Sequence, residues 1–481
     1  MSKYYLFLFI LEIVVASITA VHVILNKRNP RSGVLWVVVS FALPFIGPLL
    51  YFILGFNRTQ RRAHRIMSKR SANSFNLDLL CKEIRSESYP NFSLQFGQLE
   101  PLMRLTDHIS YYSLTCGNLI EPLYNGEQAF PAMLNAISKA KYSITCCSYI
   151  FDYDKIGSQF IEAFSNAIKR GVKVHLLIDG IGGYWYFSKV YRRLRKCGVY
   201  PASFAPLGLL PSRLAHFNLR NHRKILVIDG EIGFSGGMNI SAHHMAEDPE
   251  NRKPVADIHF RMQGPIVSQL QRVFAEDWFF ATKEVIEGKI YFPEINNYGN
   301  SLARGITSGP DENLNNLFWT IVGACQTARK SIRIMTPYFI PDQSIISAIN
   351  CASMRGVDVK IVLPRCGDIV FIQWAANSYL WEFLEYKVRI WRHEPPFHHN
   401  KLFVIDEMWS LIGSGNIDPR SLRLNFEFNV EIYDQKISSE LADYIDHTAS
   451  LGEEIILEKI QNRSLFLRVR DGFVKLFSPY L

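Results

Sequence analysis

The stretch Asn221-His222-Arg223-Lys224-Ile225-Leu226-Val227-Ile228-Asp229 is followed by Ser235-Gly236-Gly237-Met238-Asn239. A second stretch, His398-His399-Asn400-Lys401-Leu402-Phe403-Val404-Ile405-Asp406, is followed by Gly413-Ser414-Gly415-Asn416. Each reads H-x-K-x4-D, then a pair of small residues and an Asn, with Asp and Asn ten residues apart in both copies (229 to 239, 406 to 416). One such match arises by chance; two at corresponding places are a strong signal. The apolar run after each Lys reads as a buried strand, and side chains two apart on a strand share a face. His222 and Lys224 are therefore expected to point together, as are His399 and Lys401. Asp229 and Asp406 lie an odd number of residues further on, which predicts a structural role at the strand end.

Working outward, the flanks repeat as well. Ser143–Phe151 and Gly171–Ile178 precede the first motif; Ser331–Phe339 and Gly356–Leu363 precede the second. Each pair is a β-rich pattern around a helical stretch (Ser158–Arg170, Gln343–Arg355), the β-α-β rhythm of an α/β layered domain. The expected organisation is two similar α/β domains, 111–300 and 301–481.

What lies before them is apolar. Tyr4–Leu25 is a 22-residue apolar run broken by Glu12 and His22, and Val34–Phe56 is a 23-residue run without charge. About 20 apolar residues span a bilayer core as a helix, so both are transmembrane candidates. A second run directly behind the first, without a clear cleavage site, speaks against a signal peptide. Residues 1–57 are thus read as two transmembrane helices in a tight hairpin, the second interrupted by Pro44, Gly47 and Pro48. Residues 58–110 read as a basic juxtamembrane connector opening with Arg58, Arg61, Arg62, Arg65, Lys69 and Arg70. The hairpin tip carries Lys27, Arg28 and Arg31. The positive-inside rule favours a multi-pass protein with its catalytic bulk in the cytoplasm.

The whole-chain figures fit this division. In 481 residues, Lys+Arg at 53 against Asp+Glu at 44 leaves +9, and 48% of residues are hydrophobic. That apolar content excludes a mainly disordered chain, and the cationic excess calls for an anionic partner. The eight cysteines form no CxxC pair or zinc spacing, which argues against a disulfide-built secreted protein.

Paired histidines raise the possibility of a metal site. An ammonium beside each imidazole repels a cation, and no H-E-x-x-H accompanies them, so neither metal nor cofactor is expected. Two His, two Lys and two Asn suit an anionic phosphodiester instead. The lysines with Asn239 and Asn416 can hold its non-bridging oxygens. One neutral His can attack phosphorus, and the other, protonated, can donate to the leaving oxygen.

Over roughly residues 110–481 these segments resemble the phospholipase D superfamily. The second copy continues as Gly413-Ser414-Gly415-Asn416-Ile417-Asp418-Pro419-Arg420-Ser421, then Asn425-Phe426-Glu427. Together with the N-terminal hairpin and the terminal Leu476-Phe477-Ser478-Pro479-Tyr480-Leu481, the whole chain is similar to the bacterial cardiolipin synthases. The resemblance implies two phospholipase D-like α/β sandwich repeats packed as a pseudo-twofold unit behind a transmembrane helical hairpin. Its catalytic motif residues would be His222, Lys224, Asp229, His399, Lys401 and Asp406, with Asn239, Asn416, Asp257 and Glu427 phosphate-binding or supporting. It also implies an acid beyond each motif that orients its His. Glu427 lies 28 residues after His399, and Asp257 lies 35 after His222, ahead of Gly264-Pro265. The first copy departs in reading Pro254-Val255-Ala256-Asp257-Ile258-His259 around its acid, and in having Gly-Gly where the second has Gly-Ser. The implied reaction moves a phosphatidyl group from one phosphatidylglycerol to another; our assignment is His222 as nucleophile and His399 as acid/base, the quasi-symmetry of the repeats leaving the reverse open. It would occur at the bacterial inner membrane, with anionic lipids as partners and no nucleic acid. A phospholipase D-type hydrolase, and a phosphatidyltransferase with another donor or acceptor, are the alternatives.

Weaker signals are the glycine-rich Gly180–Trp185, the apolar loops Ala205–Pro211 and Glu394–Phe397, and the tail Phe466–Leu481. The tail mixes cations with aromatics as an amphipathic surface element or as core packing.

Overall fold

The computed structural model describes residues 3–27, 30–55, 95–180, 188–204, 220–311 and 313–478. The cations at 58–70, the loop 205–211 and most of the glycine-rich stretch at 180–185 lie outside the described residues. The chain divides into two compact units, Met1–Arg65 and Ile66–Leu481.

The first unit holds α1 (Lys3–Asn26) and α2 (Pro30–Ala42). Tyr4–Asn26 is long and apolar enough to cross a membrane. The second apolar run does not form one continuous helix. Pro44 lacks the donor a helix needs and disfavours helical backbone at the residue before it. The chain accordingly breaks after Ala42, resumes at Ile46–Leu50 and ends in a π-helical turn over Tyr51–Gly55. Gly47 sits so close to α2 that an added Cβ would meet the Val39 carbonyl oxygen at 2.1 Å. At about 1.5 Å per residue the 13 residues of α2 reach some 20 Å. Thr19 and Ser40 return their hydroxyls to the carbonyls of Val15 and Trp36, so these polar groups are satisfied within their own helices.

The second unit is built on a 16-stranded mixed sheet with a twofold pattern, beside a separate two-stranded sheet. The first repeat supplies β1 (Thr115–Tyr124), β2 (Ser143–Ser148), β3 (Lys173–Asp179), β4 (Ala202–Phe204), β5 (Arg220–Asn221), β6 (Ile225–Ile228), β7 (Ile232–Gly236), β8 (Val255–Ala256) and β9 (Ile258–Gln263). The second supplies β10 (Ser301–Ser308), β11 (Ser331–Met335), β12 (Asp358–Pro364), β13 (Arg389–His393), β14 (Phe397–His398), β15 (Leu402–Ile405), β16 (Trp409–Gly413), β17 (Asn425–Tyr433) and β18 (Glu453–Ile455). From the centre outward the orders are β1-β9-β7-β6-β2-β3-β4 and β10-β17-β16-β15-β11-β12-β13-β18. β1 and β10 join the halves antiparallel, pairing Thr115 with Ala303 and Asn118 with Ser301.

Local chemistry explains why the repeats match. β2 and β3 are parallel, as are β11 and β12, so each pair needs a crossover. The crossover helices Lys155–Lys169 and Gln343–Met354 start on Asp154 and Asp342, whose carboxylates accept from the amides of Gly157 and Ser344. They end before Gly171 and Gly356, at φ 88° and 90°, a left-handed conformation that glycine adopts without penalty. The helices cover two separate apolar cores, one centred on Phe160, Phe164 and Phe234, the other on Ile334, Ile349 and Trp409.

Candidate active site

The motif strands are β6 and β15, and both are wholly buried. His222 and Lys224 lie just ahead of β6, and His399 and Lys401 just ahead of β15, in short links outside any strand. Each His and Lys therefore come together not through a shared strand face but because the Lys side chain folds back along its own link. Lys224 Nζ donates to the His222 carbonyl and Lys401 Nζ to the His399 carbonyl, both at 2.6 Å.

Asp229 and Asp406 stand at the far ends of these strands, in left-handed conformations (φ 52° and 53°). The Asp229 carboxylate accepts from the consecutive amides of Lys141, Tyr142 and Ser143 at 2.7–2.8 Å. Asp406 does the same for Arg329, Lys330 and Ser331 at 2.7–2.9 Å. Both acids clamp the start of the neighbouring strand, β2 or β11, and neither joins the histidines, which corrects the place among the catalytic motif residues that the resemblance implied for Asp229 and Asp406.

The acids that do meet the histidines require a correction. Counting along the sequence pairs Asp257 with His222 and Glu427 with His399. The structure crosses them. His222 Nδ1 lies 3.0 Å from Glu427 Oε2, and His399 Nδ1 lies 3.0 Å from Asp257 Oδ2. Short parallel strands between the repeats cause the exchange. β5, just before His222, pairs with Asn425–Phe426 of β17, just before Glu427. β14, just before His399, pairs with β8, just before Asp257. The His222 amide donates to the Phe426 carbonyl at 2.9 Å and the His399 amide to the Ala256 carbonyl at 2.7 Å. In parallel register the next residue of each partner is the acid. Neither repeat holds a complete site, and this is not visible in a sequence read one repeat at a time.

The two His–acid pairs differ through the small-residue pair after each motif. Ser414 Oγ donates to Glu427 Oε2 at 2.6 Å, and Asn425 Nδ2 donates to Oε1 at 3.2 Å. The corresponding position in the first repeat is Gly237, where an added Cβ would meet Asp257 Oδ2 at 2.4 Å. Asp257 instead accepts the Ile258 amide at 2.8 Å.

All these groups are buried, and charge follows from that. Burial alone would raise the Glu427 carboxyl, but His222, Lys224 and the Ser414 hydroxyl outweigh it and hold it below its usual value. Asp257 is pushed up to about 7 by burial, against the pull of Lys401. Burial lowers both imidazoles; Glu427 partly offsets this at His222, while Lys401 and Lys224 deepen it at His399. A closely coupled pair titrates as a unit. The His222–Glu427 pair thus sheds its extra proton below the ordinary histidine range, whereas the His399–Asp257 pair keeps one up to about 7. Lys224 falls to about 7 and Lys401 to about 8, again through burial; Glu427 opposes this at Lys224 and Asp257 at Lys401, while the Lys401 ammonium lowers Lys224 further. Two buried lysine ammonium groups beside the two His–carboxylate pairs make a site electrostatically poised for a further anion.

The supporting asparagines are split. Asn239 Oδ1 accepts the Ile150 amide at 3.2 Å. Asn416 Oδ1 is buried and, among the described residues, has no hydrogen-bond partner. Several contributors were not singled out from sequence. Tyr149 and Tyr338 set their rings 5.0 and 6.3 Å from those of His222 and His399. Asp277 holds Asn221 and Arg223 at 2.8 and 2.6 Å, and Asp179 holds the Asn221 amide at 2.9 Å. Both tyrosines fall at the ends of the repeated strand blocks, which was the available signal; the two acids carry no pattern. Among the described residues, no group of three or more His, Cys, Asp or Glu is disposed to hold a metal ion.

Residues 133–278 and 321–449 match the family described as cardiolipin synthase, PLD-like domain, and residues 14–55 match a phospholipase D-nuclease N-terminal family. The major cardiolipin synthase ClsA of Bacillus subtilis is 30% identical over 98% of this chain and 98% of its own length. A cardiolipin synthase of a Geobacillus species is 32% identical over 95% of this chain and 90% of that protein. The crystal structure of a Haemophilus influenzae phosphatidylserine synthase superposes with a TM-score of 0.60 at 15% identity, covering 79% of this chain and all of that one.

Proposed function

The chain belongs to the cardiolipin synthase family of PLD-like domains, and from that premise we propose that it is a membrane phosphatidyltransferase making cardiolipin and glycerol from two phosphatidylglycerols. The observation that carries the mechanism is the pair of crossed His–carboxylate contacts, each 3.0 Å long, on buried links beside two lysines. His222, its Nδ1 hydrogen given to Glu427, presents a free Nε2 lone pair to phosphorus. Attack forms a P–N bond and breaks the P–O bond to the glycerol headgroup. His399 protonates the departing glycerol oxygen from Nε2, drawing on the proton its pair with Asp257 retains. A hydroxyl of the second phosphatidylglycerol then gives its proton to His399 and attacks phosphorus, and the P–N bond breaks to release cardiolipin. Lys224 and Lys401, with Asn239 and Asn416, stabilise the non-bridging oxygens as charge builds on them.

We read residues 1–57 as the membrane anchor in a bacterial cell membrane, 58–110 as its connector, and 111–300 and 301–481 as the two phospholipase D-like domains, cytoplasmic by the flanking cations. Purified full chain with headgroup-labelled phosphatidylglycerol should release glycerol and accumulate cardiolipin without a nucleotide. Phosphatidic acid as the main product would replace transfer by hydrolysis, and a strict need for a nucleotide-activated lipid would sink the mechanism.

A further inference from the structure

The C-terminal helix Leu465–Lys475 and the residues after it present an unusual surface. Leu465, Phe466, Val469, Phe473 and Leu476 are 60–76% exposed, and Phe477 is 48% exposed. A face this apolar marks an interaction site rather than scattered surface residues. The helix seats its opposite side on the body. Val474 is buried with Ile340, Ile372 and Ala375. Asp471 is buried in ion pairs with Arg463 and Arg470, and the Arg470 guanidinium lies 4.1 Å above the Trp374 ring. The neighbouring helix Val370–Asn377 adds exposed Val370 and Phe371, with Ile369 just before it.

Charge indicates what covers this face. Residues 463–481 carry Arg463, Arg468, Arg470 and Lys475 against Asp471 alone; Asp471 is buried between Arg463 and Arg470, and Lys475 pairs with Glu382 of the body at 3.0 Å, so with Glu382 counted the edge remains cationic, 4 − 2 = +2. Apolar side chains on one side with cations and a buried acid beside them describe a helix lying in a membrane interface rich in anionic lipid. The face also runs toward the candidate site. Tyr338, its ring 6.3 Å from that of His399, donates its hydroxyl to Asp368 at 2.7 Å. Tyr338, Ile369 and Ile372 line one small cavity, and Ile372 packs on Val474.

We propose that the exposed face of Leu465–Phe477, with Ile369–Phe371 beside it, rests in the interface of an anionic phospholipid bilayer. It is a membrane contact additional to the N-terminal hairpin, and it delivers lipid to the side of the site where Tyr338 stands. The contact stands on its own; the delivery role rests on the transferase reading.

The test uses the full chain in vesicles of phosphatidylglycerol and phosphatidylcholine. Phe473→Cys is labelled with an environment-sensitive fluorophore in a background where exposed Cys351 and Cys366 are serine, and the unsubstituted background is subtracted. Quenching by nitroxide lipids and shielding from iodide are expected. An iodide-accessible, lipid-unquenched label overturns the contact. So does a label already shielded in detergent by a dimer that Phe466→Asp dissociates, since a second copy then covers the face. For delivery, the double variant Phe466→Asp/Phe473→Asp should lower turnover of bilayer phosphatidylglycerol about tenfold or more, and of monomeric short-chain phosphatidylglycerol less than about twofold. Equal loss on both substrates, or on neither, overturns delivery. A wild-type chain inactive on both would defeat the transferase reading while the fluorescence result still decided the contact.

Discussion

Replacing Glu427 with glutamine while leaving His222 untouched tests the crossed site most directly. The Glu427 carboxylate is fully buried and accepts from His222 Nδ1 at 3.0 Å and from Ser414 Oγ at 2.6 Å. A hydrogen bond to a charged group contributes about 1.5–3 kcal/mol, which at about 1.4 kcal/mol per decade is roughly 10- to 150-fold in rate. An amide can also offer its N–H to Nδ1 and move the ring proton to Nε2, hiding the attacking lone pair. The equivalent change in a serine-protease triad costs about 10⁴. Glu427→Gln should therefore lose about 10- to 10⁴-fold. The assay compares phosphatidylglycerol with a phosphatidyl ester of p-nitrophenol, whose leaving group departs without a general acid. His399→Ala and Asp257→Asn should lose activity on phosphatidylglycerol but recover much of p-nitrophenol release. His222→Ala and Glu427→Gln should stay poor on both. Asp257→Asn grouping with His222→Ala would refute the crossed pairing. Groups that hold together but exchange behaviour would refute only the choice of nucleophile.

The titration of the two pairs sets the pH dependence of kcat/KM. His222 must be neutral, so activity falls on the acid side through a pKa below the ordinary 6.5; the His399–Asp257 pair and Lys224 lose protons near 7, so it falls again as pH rises through about 7 to 8. A flat profile from pH 5 to 9 would contradict this. Ser414→Ala removes a donor that favours ionised Glu427, so the His222–Glu427 pair should hold its proton to higher pH. The acid limb should then move upward while the alkaline limb stays, as read from full pH–rate profiles. Asp406→Asn keeps a residue that tolerates φ 53° but weakens three charge-assisted backbone bonds, so it should lower unfolding stability by about 1.5–3 kcal/mol in denaturant titrations. The folded fraction should keep the wild-type pH profile; a shifted profile would place Asp406 in the chemistry.

Much of this was legible in the sequence because it depends on short-range periodicity. The H-x-K-x4-D copies mark the buried strands β6 and β15, the odd spacing of Asp229 and Asp406 turns them to the strand end, and the flanking blocks give the β-α-β units with their helix ends. The apolar runs locate α1, and Pro44 marks where the second run breaks. The His–Lys pairing was foreseen for the wrong local reason, since the residues lie on links and the lysines fold back to their own chain. In the sequence Tyr149 and Tyr338 read only as strand ends, and their place beside the rings depends on how strands from different parts of the chain stack.

The residues alone tell that the motif occurs twice, which side chains each copy carries, and that such side chains suit an anion. Residue type and spacing along one strand or helix are local properties. Only the tertiary structure decided which acid serves which histidine, because that follows from β5 lying beside β17 and β14 beside β8 across the twofold-like centre. It also decided that the halves are unequal. Ser414 reaches Glu427, while Gly237 leaves Asp257 with no hydroxyl there and no room for one. In a buried site one hydroxyl weighs heavily on a carboxylate's charge, and no spacing rule within one repeat can state which carboxylate it meets.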